Sequence, residues 1–302
     1  MAEADELFIL RNLFALGAYQ SLINEVASSI RSNTLSDQGR LEAQSFLYRA
    51  QIAQGKYENV LRDIRADAPP ELQSIKLLAK YLSARGKGDK QGMDKSREDV
   101  GEMARESMSP IVLVVAATTY VCDGLVEEAL KFVVKCPRNL ECAAFRVQIY
   151  LHIDRLDLAR KEISLVKTWA EDATLAQLME AWVDLRSGGD RYQEAFYIFE
   201  EFGQSVSSHT LKVLNGQAVC NIALGRYPEA ESVLLEALQK DSDDPETLVN
   251  LIACSTLAAK PAEVINRYMT QLREVAPSHP FLLDLDQKEA AFDRAAQRYG
   301  IA

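Results

Sequence analysis

The chain has 302 residues, 48% of them hydrophobic, and carries 34 Lys and Arg against 44 Asp and Glu, a formal net charge of -10. So acidic a chain repels a phosphate backbone, which argues against nucleic acid as a partner. Its five cysteines show no CxxC spacing and lie mostly within apolar helical patterns, as expected of reduced core thiols in a cytosolic protein.

The first residues, Met1-Ala2-Glu3-Ala4-Asp5-Glu6, lack the basic region and apolar run of a secretory signal, so no secretory route is expected. A short phrase then begins to recur. It joins a small or polar residue, an aromatic or apolar one two places on, and a small apolar residue three places further. It reads Gly17-Ala18-Tyr19 with Leu22, Gly55-Lys56-Tyr57 with Val60, and Gly124-Leu125-Val126 with Ala129. It continues as Asp154-Arg155-Leu156 with Ala159, Asp190-Arg191-Tyr192 with Ala195, and Gly225-Arg226-Tyr227 with Ala230. The steps are 38, 69, 30, 36 and 35 residues, a period near 34 with one degenerate copy inside the longest step. A period of that length predicts stacked helix pairs over 1–302, with no chain segment left for a second fold.

In chain order, the degenerate copy falls at 70–109. Leu72, Ile75, Leu78, Ala79 and Leu82 make one good helix, but Arg85-Gly86-Lys87-Gly88-Asp89-Lys90 reads as a long polar turn that frays. Pro110 opens a helix carrying Leu113, Ala116, Ala117 and Tyr120, followed by one through Ala129, Leu130 and Val133. The apolar run 111–117 is far shorter than the ~20 residues of a membrane span, so membrane association is expected only through a partner. The next pairs join Ala143, Val147 and Tyr150 to Leu156, Ala159 and Ile163, and Leu178 and Trp182 to Tyr192, Ala195, Ile198 and Phe199. Gly188-Gly189 lengthens the turn between the last two.

The sharpest copy occupies 211–244. Leu214, Gln217, Ala218 and Asn221 share one helix face, Gly225 supplies the turn, and Pro228-Glu229 restarts a helix with Ala230, Leu234, Ala237 and Leu238 inward. With Leu211 as position one, glycine falls at fifteen, tyrosine at seventeen and alanine at eight, twenty and twenty-seven. That register resembles the tetratricopeptide repeat. The fold class is therefore all-α, a tetratricopeptide-like α-solenoid. Over 284–299, Leu285, Phe292, Ala296 and Tyr299 form a stripe amid charges, the pattern of a capping helix.

Catalytic constellations are not visible. His152, His209 and His279 fall in different repeats without a second ligand one turn away, no GxSxG elbow is present, and Gly86-Lys87-Gly88 follows no strand. Cys136 and Cys142 are too unspecific a spacing for a redox pair. Asp241, Asp243 and Asp244 before Pro245 read as a helix cap, and the repeated tyrosines as packing. No enzyme activity, cofactor, metal site or small-molecule substrate is expected.

Phrases beyond the repeat resemble, in family order, the epsilon subunit of the coatomer (COPI) coat. They include Asp5-Glu6-Leu7-Phe8, Pro70-Glu71-Leu72-Gln73 and Arg155-Leu156-Asp157-Leu158-Ala159-Arg160. Glu194-Ala195-Phe196-Tyr197, Leu214-Asn215-Gly216-Gln217-Ala218, Asn266-Arg267-Tyr268 and Phe292-Asp293-Arg294 continue the series. The pattern departs over 83–108 and at Ser205-Val206-Ser207-Ser208, loops not expected to bind partners. The resemblance implies a non-catalytic coat subunit that binds and stabilises the C-terminal region of the alpha subunit and reaches other coatomer subunits through it. It also implies Golgi-to-ER and intra-Golgi transport, a cytoplasmic protein peripheral on Golgi membranes and coated vesicles, and a bracelet enclosing an extended segment.

In the general repeat family, positions two, five, nine and twelve of each first helix face the groove. Carried over, they select Lys212, Asn215, Val219 and Ile222, then Glu246, Val249, Ala253 and Thr256, and earlier Ile111, Val114, Thr118 and Val121. This mostly apolar surface suits a strand or hairpin. Packing on a neighbouring repeat is the competing role for Val219, Ile222 and Val249. The alternative function is a co-chaperone adaptor clamping an acidic C-terminal peptide, for which only Lys212 and Asn215 qualify in the sharp copies.

Overall fold

A computed structural model describes residues 6–32, 35–204 and 209–300, so Asp5 and the serine-rich loop at 205–208 lie outside the described residues. The described residues form seventeen α-helices and no strand. They divide into two compact units, Met1–Arg191 and Tyr192–Ala302.

In the first unit α1 (Phe8–Leu16) pairs with α2 (Tyr19–Ser32), α3 (Asp37–Ala53) with α4 (Tyr57–Asp63), and α5 (Pro70–Lys87) with α6 (Lys90–Glu106). Next come α7 (Pro110–Cys122) with α8 (Val126–Val133), α9 (Leu140–His152) with α10 (Leu156–Ala170), and α11 (Thr174–Ser187). The second unit takes most of α12 (Arg191–Gly203), then α13 (Leu211–Ala223) with α14 (Tyr227–Lys240), α15 (Pro245–Leu257) with α16 (Ala262–Val275), and α17 (Pro280–Tyr299).

Helix starts follow local chemistry. Ser36, Asp89, Asn139, Thr210 and Asp244 cap their helices by accepting backbone N–H bonds, and Pro70, Pro110, Pro245 and Pro280 sit in first turns. Inside the pairs, the last residue of the recurring phrase decides how close the second helix comes. Leu22, Val60, Ala129, Ala159, Ala195 and Ala230 are each 0% exposed. A buried small or compact residue at that place lets two backbones approach while their neighbours interdigitate.

Each unit has an inner layer made of first helices. In unit 1, α3 touches α5, α5 touches α7, α7 touches α9 and α9 touches α11; in unit 2, α13 touches α15. Second helices pack on their own partner and on the next first helix, as α2 does on α3 and α14 on α15. The first helices therefore line the concave side.

The weak copy differs from its sequence expectation. The fraying turn is only residues 88–89, with Gly88 left-handed at φ 70° and the Asp89 carboxylate capping Gly92. A full helix follows, because α6 buries Ser96, Val100, Gly101 and Ala104, small residues that an apolar count overlooks. Gly101 has to be glycine-sized, since a Cβ there would overlap the Tyr120 ring and hydroxyl. Gly216 of α13 meets Phe199 of α12 in the same way, its notional Cβ lying 2.7 Å from Cζ.

The turns within pairs carry the backbone cost. Gly17, Gly55, Gly124 and Gly225 take φ between 72° and 80°, whereas Ala259, after α15, sits at φ 51° without glycine's freedom. Ala259→Gly is expected to raise stability by about 0.5–1 kcal/mol in a denaturant titration, the left-handed cost exceeding the added chain entropy. A lower midpoint would contradict the strained turn. Gly216→Ala is expected to cost about 1–3 kcal/mol through overpacking against Phe199, read as a fall in thermal midpoint that Phe199→Leu partly rescues.

Candidate partner-binding surfaces

In unit 2 the inner helices α13 and α15 bring most of the predicted groove residues onto one face, with unequal freedom. Lys212, Glu246 and Thr256 are exposed, while Asn215, Val219, Ile222, Val249 and Ala253 are half-buried. Ile222 and Val249 pack against the unit's core, the competing role named for them from sequence. Thr256 turns its hydroxyl back on Ile252 O at 2.7 Å. Asn215 is the joint of a polar network: its Nδ2 donates to Leu211 O at 3.0 Å and to Thr247 Oγ1 at 2.9 Å, and its Oδ1 accepts from Asn250 Nδ2 at 2.8 Å. Asp244 closes the network by accepting from both the backbone and the hydroxyl of Thr247, at 2.8 and 2.6 Å. Asn250 escaped the sequence reading because it stands at position six, just off the inward stripe. In the same first turn of α15, Glu246 receives His279 Nε2 at 3.3 Å, tying the start of α17 to the inner layer.

In unit 1 the predicted residues on α7 sit deeper. Val114 is 4% exposed and belongs to the core, Ile111 and Val121 pack against that core, and Thr118 donates to Val114 O at 2.8 Å. Val114 is thus a packing residue in this structure rather than an open groove residue, because α7 is apolar on nearly every side and is enclosed by α5, α6, α8 and α9. The polar residues of this inner layer come from helices the sequence reading left aside. Arg11 of α1 meets Glu42 of α3 at 2.9 Å, and Arg49 of α3 meets Glu141 of α9 at 2.9 Å. A signal for them existed: counted from Gly17, Gly55 and Asp154 at position fifteen, both arginines stand at position nine and both glutamates at position two.

The remaining polar clusters hold the architecture. Arg146, 4% exposed, donates to Val133 O at 2.8 Å, to Pro137 O at 3.1 Å and through Nε to Glu162 at 3.1 Å, fastening the turn before α9 to α10. A buried guanidinium so fully bonded is costly to break and has no donor left for a ligand. Asp123 receives both Tyr81 and Arg97, and burial first, then Asp123, pushes the Tyr81 hydroxyl up to about 12. Among the described residues no group of His, Cys, Asp and Glu could hold a metal ion, and no helix is long and apolar enough to cross a membrane.

The family model described as coatomer epsilon subunit matches residues 3–300. Coatomer subunit epsilon-1 of Oryza sativa subsp. japonica is 38% identical over 297 residues, covering 98% of this chain and 99% of that one. The coatomer subunit epsilon of Dictyostelium discoideum is 35% identical over 307 residues, covering 98% and 99%. That of Caenorhabditis elegans is 32% identical over 294 residues, covering 97% and 98%. Among solved structures, a chain of the APC/C hetero-tetramer Cut9-Hcn1 aligns with a TM-score of 0.61 at 12% identity, covering 91% of this chain and 53% of that one. A tetratricopeptide repeat protein from Parabacteroides merdae aligns with a TM-score of 0.57 at 15% identity, covering 89% and 97%. These two likenesses establish the tetratricopeptide-like fold.

The thiols give a direct check on the packing. Burial pushes Cys142 and Cys220 from 9.0 up to about 12, so only about one part in ten thousand is thiolate at pH 8. Both are expected to resist iodoacetamide at pH 8 in the folded chain and to react once guanidinium unfolds it, read by mass spectrometry. Since these thiols ionise more readily in the unfolded chain, stability is expected to fall as pH rises from 9 towards 12. Rapid alkylation of either in the folded chain would contradict the buried environment.

Proposed function

The chain belongs to the coatomer epsilon subunit family, and on that premise we propose that it holds the C-terminal region of the coatomer alpha subunit on the concave faces of its repeats. It is a subunit of the COPI vesicle coat and serves vesicle transport. Its role is structural and non-catalytic: it stabilises the alpha subunit, joins the other coat subunits through it, and reaches the cytosolic face of Golgi membranes and vesicles in their company. Transport from Golgi to ER and within the Golgi follows from that place in the coat.

The observation that carries the reading is the inner face of unit 2. Lys212, Val219, Ala253 and Thr256 keep part of their surface accessible on adjoining inner helices, beside Ile222 and Val249, which are anchored in the core. A mainly apolar face with fixed hydrogen-bonding groups at its margin fits an extended strand or hairpin, whose side chains alternate between face and solvent. Glu246 adds a charge at the rim, 71% exposed at its side chain. The α7 residues Ile111, Val114, Thr118 and Val121 contribute by supporting the corresponding face of unit 1 from beneath. An acidic-peptide clamp fits less well, because the Asn215 carboxamide is already engaged by Leu211, Thr247 and Asn250.

Calorimetric titration of the full chain with the purified C-terminal region of the alpha subunit is expected to give one-to-one binding. Val219→Arg and Ala253→Arg are each expected to weaken it at least about tenfold, a desolvation penalty of about 1.4 kcal/mol or more. Glu229→Arg, on the exposed second helix α14, is expected to leave it unchanged. No heat of binding by the unmodified chain, or equal binding by all three variants with circular dichroism unaltered, would overturn the reading.

A further inference from the structure

The inner layer of unit 1 returns on itself. Besides the neighbour-to-neighbour contacts along the layer, α1 lies against α11. Within this circuit one side-chain pair crosses the concave side, skipping α5 and α7: Arg49 Nη1 of α3 donates to both carboxylate oxygens of Glu141 on α9, at 3.2 and 2.9 Å. The two residues are 92 positions apart in sequence.

Three features separate this pair from the ordinary surface ion pairs of the chain. Its side chains are 12% and 25% exposed, against 53% and 56% for Arg155 and Asp157. The Arg49 guanidinium also lies over two aromatic rings, 4.5 Å from the centroid of Phe14 on α1 and 5.6 Å from that of Phe46 on α3. The rings themselves are 5.3 Å apart and tilted, so α1, α3 and α9 meet at one guanidinium. A partly desolvated, stacked arginine whose Nη1 bridges both carboxylate oxygens gains more than an exposed pair, and lysine cannot reproduce its flat stack on the two rings. Neither residue is needed to pair α3 with α4 or α9 with α10. Their contact serves only to join helices that are distant along the chain.

We infer that Arg49 and Glu141 form a clasp that holds unit 1 closed in the free protein and opens before a partner segment passes along its concave side. The inference rests on the concave-face reading above. A segment cannot occupy the space where the two side chains cross, so the binding-competent state is the opened one. Its small population lowers the apparent association rate in proportion. Releasing the clasp therefore speeds association, contrary to what loss of an attractive contact with the partner would do.

The test uses the full chain with Glu141→Gln, which keeps the stack of Arg49 on its rings, with Arg49→Met, and with Arg155→Gln as an exposed local control. Hydrogen exchange without any partner is expected to quicken about tenfold at the α1 and α11 amides in both clasp variants, as loss of a charged hydrogen bond implies. The control is expected to match the unmodified chain. Unchanged exchange in Glu141→Gln overturns the clasp, whether or not Arg49→Met folds.

Stopped-flow mixing with the C-terminal region of the alpha subunit is then expected to show association several-fold faster for Glu141→Gln than for the unmodified chain. Equal or slower association despite quickened exchange overturns the gating step. Absence of binding by the unmodified chain overturns instead the concave-face reading on which the gating step rests, while the exchange result still decides the closure.

Discussion

The whole array depends on one close approach, repeated. The last residue of the recurring phrase has no solvent exposure in any of the six copies, alanine in four of them and Leu22 or Val60 in the others, and within each unit it sits where the second helix of a pair crosses the first. A single amphipathic pair of this length cannot bury its apolar stripes alone, so stability comes from stacking, with each second helix also covering the next first helix. That double duty fits the complete burial of Ala129, Ala159, Ala195 and Ala230. It also explains why glycine appears inside helices at Gly101 and Gly216, where Tyr120 and Phe199 need the volume.

What the concave faces offer follows from how each unit spends its polar groups. In unit 2 the network of Asn215, Asn250, Thr247 and Asp244 is internally satisfied. Half-buried amides bonded in this manner rigidify neighbouring helices without asking for a ligand, and they leave apolar surface beside them as the accessible part. In unit 1 the inward arginines are each matched by a glutamate of another helix, so a face that would be charged becomes neutral and closed. Under the proposed function, a rigid apolar face and a closed circuit would answer different needs: the first would supply contact area, the second would govern access.

The sequence was most legible where packing is local. The phrase located helix pairs because turn, aromatic and small residue lie within six positions, and one turn of chain forces them together. It was least legible over 83–108, where polarity implied a frayed connection although α5 and α6 form a full pair. The reason is that α6 buries serine, glycine, valine and alanine, and satisfies Arg97 through Asp123, a partner from the next pair. The groove register carried over from the repeat family selected Val114, which lies in the core, and passed over Arg49 and Glu141, which occupy the same register positions in copies too loose to attract attention.

By itself, then, the sequence determined the all-α repeat and its period, because both follow from helical periodicity and turns of a few residues; the family was legible only in phrases outside the repeat, which resemble the coatomer epsilon subunit. Only the tertiary structure decided which inner residues remain accessible and that Arg49 reaches Glu141. That distance is set by the rotation accumulated over three successive steps of the inner layer, from α3 through α5 and α7 to α9. Each step depends on side-chain volumes at a helix interface, and no local pattern contains their sum.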